Sequence, residues 1–212
     1  ERRFREEFEK RIIKEQDEKA MARLQKMIAP FVLRRLKRDV LKDLPEKSEE
    51  NLYVRLEGEQ QELYDAHVKR IQIMLKEKSD EDFKNSKLQI LAELTKLRQL
   101  CCDPALVFDG YQGDSAKLDA CIQLVQSAVS NQHKVLLFSQ FTSMLERIQD
   151  RLRRENISFY VLTGATSKEK RQELVRAFQT DETEVFCISL KAGGTGLNLT
   201  AADIVIHYDP WW

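Results

Sequence analysis

The second half of the chain alternates short apolar runs with longer amphipathic segments. "VLLFSQ", "ISFYVL", "EVFCISL" and "IVIHYD" are nearly continuous apolar runs, which are typical of buried parallel strands. The segments between them have the 3.6-residue periodicity of helices. One helix is predicted to begin near Ser115, and capping boxes are predicted at Ser143/Glu146 and Thr166/Glu169. Alternating strands and helices predict an α/β fold with a parallel sheet and right-handed crossovers.

The pattern in the first 102 residues is mostly helical. Apolar residues recur at four-residue spacing at Phe4, Phe8 and Ile12, and a second helical stripe follows from Met21. "NLYVRLEG" alternates like a strand. The two apolar segments that follow, "EQQELYDAHVKRIQIMLKEK" and "KLQILAELTKLRQLCC", predict helices, and Asp103-Pro104 is expected to end the second one.

Composition and charge exclude several classes of protein. The 35 basic and 35 acidic side chains cancel, so a nucleic-acid surface would require local clustering of cations. No apolar run approaches the ~20 residues of a membrane span. The four cysteines and three histidines have no zinc-ligand spacing, so no metal site is predicted. Reduced, buried, structural cysteines are the favoured interpretation, consistent with an intracellular protein.

Polar side chains follow three of the predicted strands. The loops that begin at Ser139, Thr163 and Lys191 are expected at one edge, because the carboxyl ends of parallel strands lie together. The helix after Thr163 carries Lys168 and Arg171 near its N-terminus, where free amides and the helix dipole favour a phosphate. The alternative is an ordinary solvated basic helix face.

The sequence lacks the main parts of a complete catalyst. The phosphate-loop pattern G-x-x-x-x-G-K-[ST] is absent, and "GGTGLNL" lacks the third glycine of a dinucleotide fingerprint. The Asp-Glu pairs that begin at residues 17, 80 and 181 are not placed after a strand, where they could hold Mg²⁺ beside a triphosphate. Solvated surface is the favoured interpretation of all three pairs.

Several segments, in order and spacing, resemble the motifs of one family. "VLLFSQFTSMLERI", "LTGATSKEKRQELVRAF" and "SLKAGGTGLNLTAADIVIHYDPWW" resemble motifs of the second lobe of SWI/SNF-type ATPases in helicase superfamily two. "IAPFVLRRLKRDVLKDLPEK", "LRQLCCDPAL" and "SAKLDACIQLV" resemble the blocks that precede them. The resemblance covers nearly the whole chain. It implies a RecA-like lobe of an ATP-dependent double-stranded DNA translocase that remodels protein–DNA complexes.

The resemblance also implies a domain organisation. Residues 1–48 correspond to the linker from lobe one and a basic brace, residues 49–112 to a helical protrusion and lead-in, and residues 113–212 to an incomplete second RecA-like lobe. The brace residues are Arg34, Arg35 and Lys37. No catalytic residue is expected within the chain, because the family's arginine fingers would lie beyond Trp212.

The resemblance assigns two groups of site residues. Gly194 and Gly196 are expected to approach the nucleotide cleft between the lobes. Lys191 stands where the family usually has Arg, so it can contact a phosphate but cannot make a bidentate contact. The expected DNA-phosphate contacts are Ser139, Gln140, Thr163, Gly164, Lys168, Arg171, Ser189 and Lys191.

The implied cofactors are ATP and Mg²⁺ in the two-lobed enzyme, with neither bound by this segment alone. The implied partners are double-stranded DNA, the first RecA-like lobe and DNA-bound proteins, with no membrane. The expected location is the cytoplasm or nucleoid in a prokaryote and the nucleus in a eukaryote. Two alternatives remain open from the residues themselves: a DNA-binding module without a motor role, and a protein-interaction module.

Overall fold

The structure, a computed structural model, describes residues 2–33, 47–76, 87–193 and 197–210. The chain divides into two compact units, residues 1–51 and residues 52–212. The first unit begins with a helical segment, in which a π-helical turn at Arg5–Glu9 separates Arg2–Phe4 from Lys10–Ile13. Helix α1, Glu18–Ile28, follows, and its N-terminus is capped by the Asp17 carboxylate.

The second unit contains a four-stranded sheet in which every pairing is parallel. The strands are β1 Val135–Ser139, β2 Phe159–Leu162, β3 Val185–Ser189 and β4 Ile204–His207. The strand order is β2-β3-β1-β4, so β1 and β3 are central and have neighbours on both sides. This arrangement confirms the predicted α/β fold and all four predicted strands.

Helices cover both faces of this sheet. The helices are α4 Ala116–Ser130, α5 Thr142–Arg154 and α6 Lys168–Thr180. Helices α4 and α5 pack on one face, where Val125 and Ile148 are fully buried in the same apolar cluster as Leu137. Helix α6 packs on the other face, where Phe178 contacts Phe186 with ring centroids 5.2 Å apart. Burying both faces explains why the strand sequences are continuously apolar.

A helical hairpin precedes the sheet in the second unit. It consists of α2, Gly58–Lys76, and α3, Lys87–Cys102, which confirms both predicted helices. The buried Gln60 side chain joins the hairpin to α4: its amide nitrogen donates to the Leu100 carbonyl at 2.8 Å, and its oxygen accepts from the Ala116 N–H at 3.2 Å. The hairpin is thereby fastened to the sheet domain.

A buried carboxylate between the two helices of the hairpin is surrounded by basic side chains. The Glu93 side chain is only 7% exposed, and its carboxylate lies 3.1 Å from His67 Nε2, 2.8 Å from Arg70 and 3.1 Å from Lys96. Burial alone would raise the pKa of Glu93. The Lys96 hydrogen bond and the surrounding positive charges outweigh burial, so the pKa is lowered. This carboxylate is therefore held ionised inside the hairpin.

Three local predictions were wrong. "NLYVRLEG" forms no strand: residues 51–57 have no regular secondary structure, because alternation alone supplies no neighbouring strand for hydrogen bonding. Ser143 caps nothing, since α5 begins one residue earlier, at Thr142. Ser167, rather than Thr166, caps α6 by accepting from the Lys170 N–H. The predicted cap at Ser115 is confirmed, because its hydroxyl accepts from the Leu118 N–H.

Candidate nucleic-acid interface

The expected site residues after strands β1, β2 and β3 lie at one edge of the sheet. Ser139 and Ser189 end β1 and β3 and are partners in the parallel register. Thr163 directly follows β2, whose Leu162 is in register with Ile188 of β3. Because all four strands run in the same direction, the loops after them open on the same side. The structure therefore brings together the three loops that the sequence placed there.

The two strand-end serines face inward. Both are almost fully buried, and their hydroxyls are used within the turns that follow. The Ser139 hydroxyl accepts from the Phe141 N–H at 3.2 Å, and the Ser189 hydroxyl accepts from the Ala192 N–H at 3.4 Å. These bonds start the turns after β1 and β3. A short helical turn, Leu190–Gly193, stands where the sequence predicted a loop from Lys191.

The turn after β2 is held by its own side chains. The Thr163 N–H donates to the Thr166 hydroxyl at 3.1 Å, and the Ala165 N–H donates to the Thr163 hydroxyl at 3.3 Å. Gly164 is exposed, and a Cβ added to it would meet nothing within 4 Å. The turn is thus ordered and open on its outer side, so a ligand can approach the backbone at Gly164.

Cations crowd the first turn of α6, where the helix dipole disfavours them. Lys168, Lys170 and Arg171 follow the Ser167 cap, whereas a helix N-terminus ordinarily favours negative charge. Lys170 pairs with Glu173 at 2.8 Å. The Arg171 Nε and Nη2 atoms are buried and have no hydrogen-bond partner within the described parts of the chain. Buried donors without a partner, beside cations that the helix dipole disfavours, single out Arg171 as a candidate functional residue.

Gln140 contributes a second unpaired donor at this edge. Its backbone N–H donates to the carboxylate of Asp209, with N–O distances of 3.0 and 3.3 Å. Its side-chain Nε2 atom is buried and lacks a hydrogen-bond partner among the residues that the structure describes. The backbone of Gln140 is therefore fixed by Asp209, while its buried side-chain amide has no partner among the described residues.

The glycine loop is close-packed at Gly193. A Cβ added to Gly193 would lie 2.8 Å from Phe138 Cε1 and 3.0 Å from Ile188 Cγ2, so only glycine fits without a shift of its neighbours. The Gln179 side chain of α6 binds the downstream part of the loop, accepting from the Ala201 N–H at 2.9 Å. The nucleotide-cleft residues Gly194 and Gly196 and the brace residues Arg34, Arg35 and Lys37 lie outside the described residues.

The cysteines have free thiols, and most of them are buried. All four thiols are free; Cys102, Cys121 and Cys187 are buried as predicted, whereas Cys101 is half-buried. Burial raises the pKa of Cys102 and of Cys121 to about 12, so both remain protonated and unreactive at neutral pH. No group of three or more His, Cys, Asp or Glu side chains that could hold a metal ion is found across the described ranges. Within those ranges, no helix is long and apolar enough to cross a membrane.

Sequence reasoning missed two residues that shape this edge. Asp209 is 3% exposed and lies two residues after His207, the end of β4, a position at which a carboxylate could have been noticed. Arg98 lies on α3, and its guanidinium donates to the Pro210 carbonyl at 2.5 Å across 112 positions of the sequence. Nothing in the local pattern around Arg98 distinguishes it from an ordinary solvated arginine.

Comparison with known proteins identifies the family. The SNF2-related domain family matches residues 1–106, and the helicase conserved C-terminal domain family matches residues 116–212. A protein named "Uncharacterized ATP-dependent helicase" from Mycoplasma genitalium is 38% identical over 99% of this chain. The mouse SWI/SNF-related matrix-associated actin-dependent regulator of chromatin subfamily A member 1 is 34% identical over 92% of this chain. The chain spans about a fifth, 20%, of the length of each of these relatives.

A solved structure has the same architecture. The Sulfolobus solfataricus SWI2/SNF2 ATPase core in complex with dsDNA matches with a TM-score of 0.71 and 32% identity, covering 99% of this chain and 45% of that chain. The predicted RecA-like fold is confirmed by this match. Since the SNF2-related domain family covers half of the chain and a SWI2/SNF2 ATPase core shares its fold, the chain belongs to the SNF2-related family of SWI/SNF-type ATPases.

Proposed function

We propose that the chain supplies the second motor lobe of an ATP-dependent double-stranded DNA translocase that remodels protein–DNA complexes. In this role residues 113–212 belong to the lobe, residues 49–112 form the protrusion and lead-in, and residues 1–48 connect to lobe one. The lobe contributes DNA-phosphate contacts and one wall of the ATP cleft. The family match and the DNA-bound structural neighbour support this proposal.

The observation that carries the proposal is the unpaired guanidinium of Arg171 at the carboxyl edge. Its buried Nε and Nη2 atoms have no partner within the described part of the molecule, so they would be stabilised by an anionic ligand. Lys168 is exposed one turn away on the same helix, and Lys191 is exposed after β3. Phosphates of a nucleic-acid backbone fit this combination of cations, hydroxyls and amides.

We propose the same ligand for the other residues of the edge. Gln140 would donate its free side-chain amide, and Thr163 and Gly164 would offer hydroxyl and backbone donors. Ser139 and Ser189, being buried, would act chiefly by shaping the turns that present these donors. Gly194 and Gly196 would approach the nucleotide. ATP and Mg²⁺ would be held mainly by lobe one, as the family resemblance implies.

The remaining parts of the proposal concern partners and location. The first RecA-like lobe of the same polypeptide would close the ATP cleft, and DNA-bound proteins would be the substrates displaced. The cell compartment would be the cytoplasm or nucleoid in a prokaryote and the nucleus in a eukaryote. The absence of a phosphate loop from the sequence supports the further proposal that the 212 residues alone do not hydrolyse ATP.

Steady-state phosphate release tests the proposal. The two-lobed polypeptide, in which this chain is joined to a first RecA-like lobe and to the final Arg-containing motif, is expected to hydrolyse ATP faster when duplex DNA is added. The 212-residue chain is expected to show only background release, because phosphoryl transfer needs a phosphate cradle, a held Mg²⁺ and a charge-stabilising arginine. An arginine finger alone is worth about 10³–10⁵ in rate.

Two controls make the measurement decisive. Gly196→Val in the two-lobed polypeptide is expected to impair hydrolysis by crowding the cleft, whereas Gly164→Val is expected to leave ATP affinity unchanged. DNA-dependent release by the 212 residues themselves would contradict the assigned role. A two-lobed polypeptide that binds DNA without stimulated hydrolysis would favour the non-motor DNA-binding module, and one that does neither would favour a protein-interaction module.

A further inference from the structure

The last turns of helix α3 contact the segment that follows β4. The Arg98 guanidinium donates to the Pro210 carbonyl at 2.5 Å, and the Tyr208 hydroxyl donates to the Cys102 carbonyl at 2.7 Å. Tyr208 and Cys102 are both buried in the core under α4 and α5. The helical hairpin is therefore bonded, by two long-range hydrogen bonds, to residues 208–210 at the carboxyl edge of the sheet.

Asp209 lies between Tyr208 and Pro210 in the sequence, and its side chain contacts the residue that follows β1. Its carboxylate is buried, and both of its oxygens accept the Gln140 N–H, at 3.0 and 3.3 Å. A hydrogen bond to an ionised carboxylate is about twice as strong as a neutral one, and burial excludes competing water. The backbone position of Gln140 therefore depends on where Asp209 is held.

Arg98 also approaches the same loop directly. Its guanidinium carbon lies 6.0 Å from the ring centroid of Phe141, within the range of a cation–π contact. Phe141 in turn donates its N–H to the Ser139 hydroxyl. The loop of residues 139–141, which we name the β1 loop, is thus contacted from one side by Asp209 and from another by Arg98.

We propose that Arg98 and Asp209 are positioning residues, which make the placement of the β1 loop depend on the helical hairpin. Arg98 holds residue 210, residue 210 holds its neighbour Asp209, and Asp209 holds the backbone of Gln140. The consequence for DNA binding rests on the proposed function, in which Gln140 donates its unpaired amide to a phosphate. A displaced hairpin would misplace that donor without touching DNA itself.

Amide hydrogen exchange in the two-lobed polypeptide tests the positioning without reference to DNA. Asp209→Ala is expected to increase exchange of the Gln140 amide about tenfold to a hundredfold, the range for loss of a hydrogen bond to a charged group. Asp209→Asn, which keeps an acceptor oxygen, is expected to restore most of the protection. Arg98→Ala is expected to increase the same exchange about threefold to tenfold, and Arg98→Lys, which still carries a donor, to restore part of it.

The matched control is Arg154→Ala. Arg154 is an exposed arginine in the last turn of α5, a helix that begins beside the β1 loop and therefore ends at the opposite edge of the sheet. The control removes the same charge and should leave exchange at Gln140 unchanged. If Asp209→Ala prevents folding, the half-exposed Arg98 variants alone decide the matter. Unchanged exchange in folded Arg98→Ala and Asp209→Ala, or an equal change in Arg154→Ala, would overturn the inference.

DNA affinity provides the functional part of the test. With a fluorescent duplex, Arg98→Ala is expected to weaken binding about threefold to tenfold, with Arg98→Lys closer to wild type and the KM for ATP within about twofold of wild type. A loss confined to ATP affinity would overturn the assigned role. A wild-type polypeptide that does not bind the duplex would overturn the proposed function, whereas the exchange result would still support or overturn the positioning of the β1 loop.

Discussion

At the scale of the residue, Gly193 is required by packing. Its backbone lies against Phe138 and Ile188, so a methyl group there would overlap both side chains. We expect Gly193→Ala to lower the free energy of unfolding of the chain by about 1–3 kcal/mol, the usual cost of overpacking. Urea unfolding of the two variants Gly193→Ala and Gly164→Ala provides the comparison.

Gly164 is the matched control for this effect. It has open space around the position of a Cβ, and its φ is not in the left-handed region. Gly164→Ala is therefore expected to change the free energy of unfolding by no more than about 0.5 kcal/mol. A loss for Gly193→Ala within the small range expected for Gly164→Ala would show that the loop after β3 is less tightly packed than the distances indicate.

The cations of α6 are the second residue-scale feature with a measurable consequence. Each phosphate neutralised by a cation adds about −0.9 to the slope of log affinity against log salt concentration. Lys168→Ala combined with Arg171→Ala is expected to weaken binding of two unrelated duplexes equally and to flatten the slope by up to ~2. Titration of both duplexes at several salt concentrations measures this change.

A double variant at the other end of a helix controls for lost charge. Arg153 and Arg154 lie at the C-terminus of α5, away from the carboxyl edge, and both are exposed. Replacing them with Ala removes the same two charges and is expected to leave the salt slope unchanged. A loss of affinity for only one of the two duplexes in the Lys168/Arg171 variant would contradict non-specific phosphate binding.

At the scale of the element, the helical hairpin contains a buried charge whose effect depends on pH. The pKa of Glu93 is lowered in the folded chain, so the ionised carboxylate stabilises the fold above its ordinary pKa of 4.5. We expect Glu93→Gln to cost about 1–3 kcal/mol at pH 7, because the buried His67 and the basic side chains of Arg70 and Lys96 lose a charged acceptor. The difference between the variant and wild type is expected to shrink as pH falls below 4.5, through the lowered pKa of the folded state.

Urea unfolding at several pH values measures this dependence. Glu173→Gln is the control, because Glu173 is 66% exposed and pairs only with Lys170 across one helical turn among the described contacts. Its removal is expected to cost no more than about 0.5 kcal/mol at any of these pH values. The loss of unfolding free energy caused by Glu93→Gln should not grow toward low pH. Growth of that loss would contradict the lowered pKa of Glu93 and the stabilising role of its ionised carboxylate.

Elements also show where local sequence patterns were sufficient. The strands were predicted because a sheet that is buried on both faces has continuous apolar runs in its strands. The long helices were predicted because a helix that is buried on one face has an apolar stripe with a 3.6-residue period. Their caps were predicted less well. Ser115 caps α4 as expected, whereas Ser143 does not cap α5, because the N-cap position of α5 is occupied by Phe141, set by the turn after β1. A cap depends on the residue at which the preceding turn ends, and a capping-box spacing alone does not determine that residue.

At the scale of the whole molecule, the basic brace is expected to affect turnover rather than nucleotide binding. Arg34 and Arg35 are separated from the glycine loop by more than 150 positions of the sequence, and the family resemblance assigns them to the segment that joins the lobes. Arg34→Ala combined with Arg35→Ala in the two-lobed polypeptide is expected to lower DNA-stimulated turnover while leaving the affinity for ATP nearly unchanged. Nucleotide titration and steady-state phosphate release separate these two effects.

A matched pair of substitutions completes this measurement. Arg153→Ala combined with Arg154→Ala removes two arginines at a distance from the carboxyl edge and is expected to leave turnover unchanged. A large loss of ATP affinity in the Arg34/Arg35 variant would instead place these residues at the nucleotide cleft. Turnover that is unchanged in both double variants would contradict the brace interpretation.

The sequence by itself determined the fold class, the order of the elements and the edge that carries the candidate site. These properties follow from apolar periodicity and from the rule that parallel strands end together, both of which act over short stretches of chain. Only the tertiary structure decided that the hydroxyl of Ser139 points inward, that Arg171 keeps unpaired buried donors, and that Arg98 reaches Pro210. These features depend on contacts between distant parts of the chain, whose partners are brought together only when the elements pack.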